Sequence, residues 1–243
     1  MRPARLPIAQ FWGLCFVVFM TLQIPIVRMP VMFLSTWSHE MGHGIGAMIT
    51  GGQFDRFALF SNFSGVAYTR SATDFQRVMT LCLGLLGPSL LGSVLILLTR
   101  GLNWTRVGLF GLTLALLVTQ LWAGDMFTRL TLAVAAGAFG LCAWKLPPKA
   151  LSLLANIVAI AFCLTALTGF GYFFIGNADV SGSNYRSDTG HLSDILGGPY
   201  WLWGALLVIV SITVLLLSVI LAEKMARRFD RASAAGDTPR TSR

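Results

Sequence analysis

Apolar blocks long enough to cross a hydrocarbon layer recur along almost the whole chain, and they limit the fold before any single residue is considered. A hydrocarbon core about 30 Å thick takes ~20 apolar residues in helical form. Blocks of that kind run over residues 8–27, 31–49, 78–98, 107–122, 130–144, 151–175 and 201–221. Inside lipid every backbone polar group must find a partner within the protein, so such blocks fold as helices. The expected architecture is an all-α membrane protein, a polytopic helix bundle of about seven spans. Blocks 107–122 and 130–144 are short and suit tilted or paired helices. Composition agrees: 12% of the 243 residues are charged, 55% are hydrophobic, and mean hydropathy is +0.71. An average soluble domain carries about 25% charge, so an ordinary soluble domain and a disordered chain are both excluded.

The net charge of +8 does not argue for nucleic-acid binding. The basic residues are scattered between apolar blocks or gathered at the C-terminal end, rather than clustered on a soluble face. Membrane proteins place such residues in loops and tails, with the cytoplasmic side favoured. Here a conflict arises. Seven spans put the two ends on opposite faces, yet both are basic: Arg2 and Arg5 at one, Lys224, Arg227, Arg228, Arg231, Arg240 and Arg243 at the other. One span is miscounted, or one basic end lies outside. The first block ends in Arg28-Met29-Pro30 without a small-residue cleavage pattern, so it reads as a span rather than a signal peptide. Cys15, Cys82, Cys142 and Cys163 all lie in apolar blocks and read as packed or lipid-facing thiols. We expect one membrane domain over 1–222 and a basic, flexible tail over 223–243, with no separate soluble substrate-sorting domain.

Two loops stand out. Residues 51–77 hold two short apolar-rich runs, 53–60 and 66–70, around Ser61-Asn62-Phe63-Ser64-Gly65; this reads as a short β-hairpin. Residues 176–199 are polar and rich in Gly, Ser and Asn, and carry Asp179, Asp188, His191 and Asp194.

The second span contains His39-Glu40-Met41-Gly42-His43. Residues four apart lie on one helix face a turn from each other, so His39 and His43 can place one imidazole nitrogen each on a single ion. Glu40 stands beside them, near enough to take a proton from a metal-bound water. With three His and two Glu in the chain, chance yields this spacing in roughly 3 of 10,000 sequences. An ionisable group near the bilayer centre costs on the order of 2.5–3.5 kcal/mol, and a divalent metal is the partner that offsets it. A catalytic zinc takes three protein ligands plus water. The second span ends at the face carrying 51–77, and four crossings later 176–199 emerges on the same face. Spacing alone leaves the third ligand open among the acids and the histidine of that loop; Asp125 reads as part of a polar turn.

The chain resembles the site-2-protease-like intramembrane zinc metallopeptidases, in particular their compact, mostly bacterial branch. The resemblance rests on His39-Glu40-Met41-Gly42-His43 with the run to Thr50-Gly51-Gly52, on Leu83-Gly84-Leu85-Leu86-Gly87-Pro88-Ser89-Leu90-Leu91-Gly92, and on Ser193-Asp194. It covers roughly residues 10–220 and implies Zn2+ held by His39, His43 and Asp194, with Glu40 as the catalytic base. Asp179 and His191 are the alternatives for the third place. Many relatives continue with Ala after that Asp, where Ile195 stands here. The resemblance further implies a bacterial cytoplasmic membrane, membrane-embedded protein substrates, and a strand-like element beside the zinc that presents them. Glycines of the third span read as a seam against the metal-bearing helix. Two rival functions share the same residues. One is a zinc-binding but inactive membrane scaffold; the other is a metal transporter, which would be expected to repeat its ligands or show internal symmetry.

Overall fold

The structure is a computed structural model, and it describes residues 6–168, 170–180 and 182–236. Helix α1 (Ile8–Thr21) is followed after a short break by α2 (Pro25–Ile49), bent from it by 104°. Strands β1 (Gln53–Leu59) and β2 (Gly65–Arg70) form an antiparallel hairpin with a bulge at Asp55. Helices α3 (Asp74–Ile96), α4 (Thr105–Val118), α5 (Met126–Lys145) and α6 (Pro148–Thr168) then cross back and forth. A short α7 (Phe170–Phe173), a second hairpin of β3 (Asn177–Val180) and β4 (Ser183–Arg186), and α8 (Asp188–Leu196) lead into α9 (Tyr200–Gly236).

Among the described residues five helices are long and apolar enough to cross a membrane, or six spans when the bent pair counts as one. The expected seven is thus corrected to at most six. The reason is local. Pro25 opens α2, and a proline disfavours helix in the residue before it. The 14 residues of α1 reach only ~21 Å, short of a hydrocarbon core of about 30 Å. Six spans would put the first and last on the same face. Arg100, at the end of α3, donates to the Leu6 carbonyl (3.1 Å) and to Glu223 of α9, so Leu6 and Glu223 meet at one end of the bundle; Arg2 and Arg5 lie outside the described residues. The basic segment after Glu223 continues as helix to Gly236; residues 237–243 lie outside the described residues.

The centre of the bundle is the α2–α3 seam. A Cβ on Gly42 would lie 2.2 Å from the Leu83 carbonyl oxygen, and one on Gly87 would lie 2.4 Å from that of Ser38. Only glycine permits backbones this close, which is the packing role expected of these residues. The first hairpin sits at the end of this seam. Phe57 of β1 is fully buried in the main core with Phe11, Leu109, Leu132 and Ile160. The Phe57 carbonyl accepts from Gly124 in the α4–α5 turn (2.8 Å), which fixes hairpin and turn on the same face. The second hairpin and α8 occupy a stretch expected only as a polar loop. All four cysteines are free thiols.

Candidate metal centre

His39 and His43 face one way from the C-terminal half of α2, with ring centroids 4.6 Å apart. His43 Nδ1 lies 3.0 Å from the Thr80 carbonyl oxygen of α3. The Nδ1–H donates there, so the Nε2 lone pair points into the site. Gly84 makes room for that ring: a Cβ at Gly84 would stand 2.2 Å from His43 Cε1.

The third group comes from α8. Ser187 caps this helix, its hydroxyl accepting from the Gly190 amide (3.0 Å) while donating to the Ile175 carbonyl (2.5 Å). Asp188 therefore begins the first helical turn, where the helix dipole favours an anion. Its Oδ2 lies 3.1 Å from His39 Nε2 and 3.3 Å from His43 Nε2, and the two Nε2 atoms are 3.2 Å apart. The Tyr172 hydroxyl donates to the same Oδ2 at 3.3 Å. Burial by itself would push the Asp188 carboxyl up. With protonated imidazoles the His43 charge and the ring N–H donors outweigh it and hold the group well below the usual carboxylate range.

The structure brings Asp188, and not Asp194, to the two histidines. Asp194 lies six residues further along α8, which at 100° per residue turns it to the other side of the helix. There it accepts two hydrogen bonds from Arg186 (2.8 and 2.6 Å), whose guanidinium holds its carboxyl below the usual range. Asp179 is also elsewhere, accepting from the Gly182 amide in the second hairpin turn (2.9 Å). Asp125 caps α5 through Thr128. His191 lines the cavity that holds His39, His43 and Asp188 but stands outside the group of donors within reach of one ion. The chain holds two Ser-Asp pairs, Ser187-Asp188 and Ser193-Asp194. The signal that separates them is that Ser187 caps a helix, which sets Asp188 at its start.

Glu40 is buried at 4% exposure, one residue after His39, and Gly65 and Ala67 of β2 line the same cavity beside it. Gly65 of β2 comes so close that a Cβ there would stand 2.6 Å from Glu40 Oε1. Two cavities of about 590 Å³ each meet at this point. Both touch His39, Glu40, Gly65, Tyr172, Ala178 and Val180. One opens past Arg70, Arg77 and Arg186, and the other, with Arg28 and Asp179 also on its wall, past the largely apolar Leu22, Val31, Met32, Pro88 and Phe173. The site thus has a polar mouth and an apolar one.

The three donor atoms fit a metal. Zinc bonds of 2.0–2.1 Å at tetrahedral angles set neighbouring donors about 3.3–3.4 Å apart, close to the 3.1, 3.2 and 3.3 Å found here. His39, His43 and Asp188 form the group of metal-ligating side chains within reach of one ion among the described residues.

Fold and site together define a polytopic membrane protein with a His-His-Asp cluster at the inner end of two cavities. The family model for Peptidase M50B-like proteins matches residues 11–218, and the chain belongs to that family. No curated protein and no solved structure matches it.

Proposed function

We propose that this membrane peptidase is a zinc endopeptidase that hydrolyses peptide bonds of membrane-spanning proteins, with His39, His43 and Asp188 as metal ligands and Glu40 as the base. The observation that carries the reading is the convergence of three electron-pair donors at tetrahedral-edge spacing. Unpaired, they would repel one another, and a divalent cation between them removes the repulsion. Bound zinc supplies Lewis acidity and lowers the pKa of its water to about 7.

The chain's own residues do the rest. Glu40 accepts the proton of the attacking water and passes it to the leaving amine. Its burial and the close approach of Gly65 fix its direction. The Thr80 carbonyl holds the His43 ring, and the Tyr172 hydroxyl holds Asp188. A peptide bond inside a helix is shielded, so the substrate must be extended where it is cut. Strand β2 uses one edge on β1, and its Gly65, Val66, Ala67 and Thr69 line the polar cavity beside Glu40. An extended substrate segment can add to its other edge. The apolar mouth suits the part of the substrate still in lipid.

The test is metal analysis of the purified protein together with cleavage of single-span membrane proteins. One zinc per chain is expected, falling to background in His43→Ala. A properly folded protein with no bound metal would overturn the reading. Metal without any cleavage would favour the inactive scaffold.

A further inference from the structure

We infer that the second hairpin carries the side-chain subsite of this centre: Ala178 and Val180 of β3 form an apolar roof that takes an aliphatic side chain of an extended substrate segment. The inference rests on the peptidase reading above and adds which residues select the substrate.

Strand β2 explains how an extended segment is held but not how it is chosen. A strand added to a sheet edge gains affinity from main-chain hydrogen bonds, which every sequence offers, and selection comes from pockets that receive alternate side chains. Gly65, Val66 and Ala67 are consecutive residues of β2, and all line the polar cavity. Successive side chains of a strand point to opposite faces, so a consecutive run meets the cavity with its backbone edge. Another surface has to supply the pocket.

Strand β3 presents a face instead. Ala178 and Val180 line both cavities, together with His39, Glu40 and Tyr172. Two residues apart on a strand, their side chains project to one side. Ala178 is buried and Val180 half-buried, and neither side chain carries a donor, an acceptor or a charge. The Asp179 carboxylate between them is taken up by the Gly182 amide (2.9 Å). An extended segment lying along β2 therefore meets main chain on one side and an apolar face on the other. Its side chains alternate, so the roof reads one of two neighbours and not both.

The base of this hairpin is tied to the helix that supplies Asp188. The Gly176 carbonyl, just before β3, accepts from the Ser187 amide (3.1 Å) and from Arg186 (3.3 Å). The Ile175 carbonyl accepts from the Ser187 and Thr189 hydroxyls (2.5 and 3.1 Å). Asp188 stands between those two residues, and the β3–β4 ladder runs from this base, Asn177 opposite Arg186, to Val180 opposite Ser183. The roof and the metal ligand thus hold a fixed relation.

Cleavage of single-span membrane proteins that differ in one residue at a time around the cut bond tests the roof. A methylene more or less in an apolar pocket changes selection by about 10–200-fold. In Val180→Phe the rate with Leu relative to Ala should fall at least tenfold at the position under the roof, and in Val180→Ala it should rise. The position next to it should show neither change. Comparing enzyme variants on the same substrates cancels each substrate's own tendency to unwind. An unaltered Leu-to-Ala ratio in Val180→Phe, or equal changes at neighbouring positions, would overturn the subsite.

A second measurement needs no turnover. In Glu40→Gln with the natural cysteines replaced by Ala, Val180→Cys should be joined by a short bismaleimide to single cysteines stepped along the substrate's membrane segment. Arg231→Cys, on the distant part of α9, should not be joined. The outcomes separate the two ideas. Cross-linking with no cleavage by the wild-type protein overturns the peptidase and leaves the subsite as a site for an extended peptide. Cleavage with an unaltered ratio overturns the subsite alone, and neither cleavage nor cross-linking overturns both.

Discussion

His43 Nδ1 and the Thr80 carbonyl oxygen stand 3.0 Å apart across the α2–α3 seam, so the backbone of one span decides which nitrogen of the other is free to bind a metal. The ring has space for this only because residue 84 lacks a side chain. In Gly84→Ala the new methyl would meet His43 Cε1 at 2.2 Å, and either ring or helix must move. We expect zinc affinity to fall about 10–100-fold, as for loss of an orienting partner, and stability to fall by about 1–3 kcal/mol from overpacking. Competition with a chelator and thermal unfolding in detergent measure the two.

Asp188 and Asp194 give a direct comparison, because both are acids of one short helix. Asp188→Asn should strip the protein of zinc, since it removes an anionic ligand. Asp194→Asn should leave zinc at one per chain and loosen only the Arg186 contact to the second hairpin, an exposed ion pair of small worth. Metal loss in Asp194→Asn with retention in Asp188→Asn would reverse the assignment.

In the proposed mechanism Glu40 acts on the attacking water without holding the metal. In Glu40→Gln zinc should be retained while turnover drops about 10²–10⁴-fold. Gly65→Ala attacks the same group from β2, where the added methyl would meet Glu40 Oε1 at 2.6 Å. It should also lower turnover with the metal in place. Loss of zinc from well-folded Glu40→Gln would show that Glu40 is a ligand and not a base.

Acid should release the metal, and the sign follows from the ligands. The Asp188 carboxyl is held below the usual range. Its charge is present above the ordinary carboxylate value and is lost only as pH falls through the lowered one, so it adds no step near neutrality. Loss of zinc in acid then comes from proton competition for the ligand lone pairs. Zinc occupancy measured from neutral to acid pH should fall with acid; occupancy that rises instead would contradict the proposed ligation.

Much of this protein was legible in the chain. The apolar blocks dictated a helical membrane bundle, because lipid offers the backbone no other partner. His39, Glu40 and His43 could be read as a site because helical periodicity alone puts positions 39 and 43 on one face. The first hairpin followed from two short runs around Asn, Ser and Gly. What the sequence left open depends on contacts far apart along the chain. The span count turned on whether α1 is long enough to cross, and on Arg100 drawing Leu6 and Glu223 to the same end. The third acid turned on which side of α8 faces the histidines. Two Ser-Asp pairs look alike as strings, and only the packing of α8 against α3 and α9 sends Asp188 inward and Asp194 out to Arg186. Local periodicity is written in neighbouring residues, whereas a ligand set drawn from two helices exists only once the tertiary fold has fixed their relative rotation.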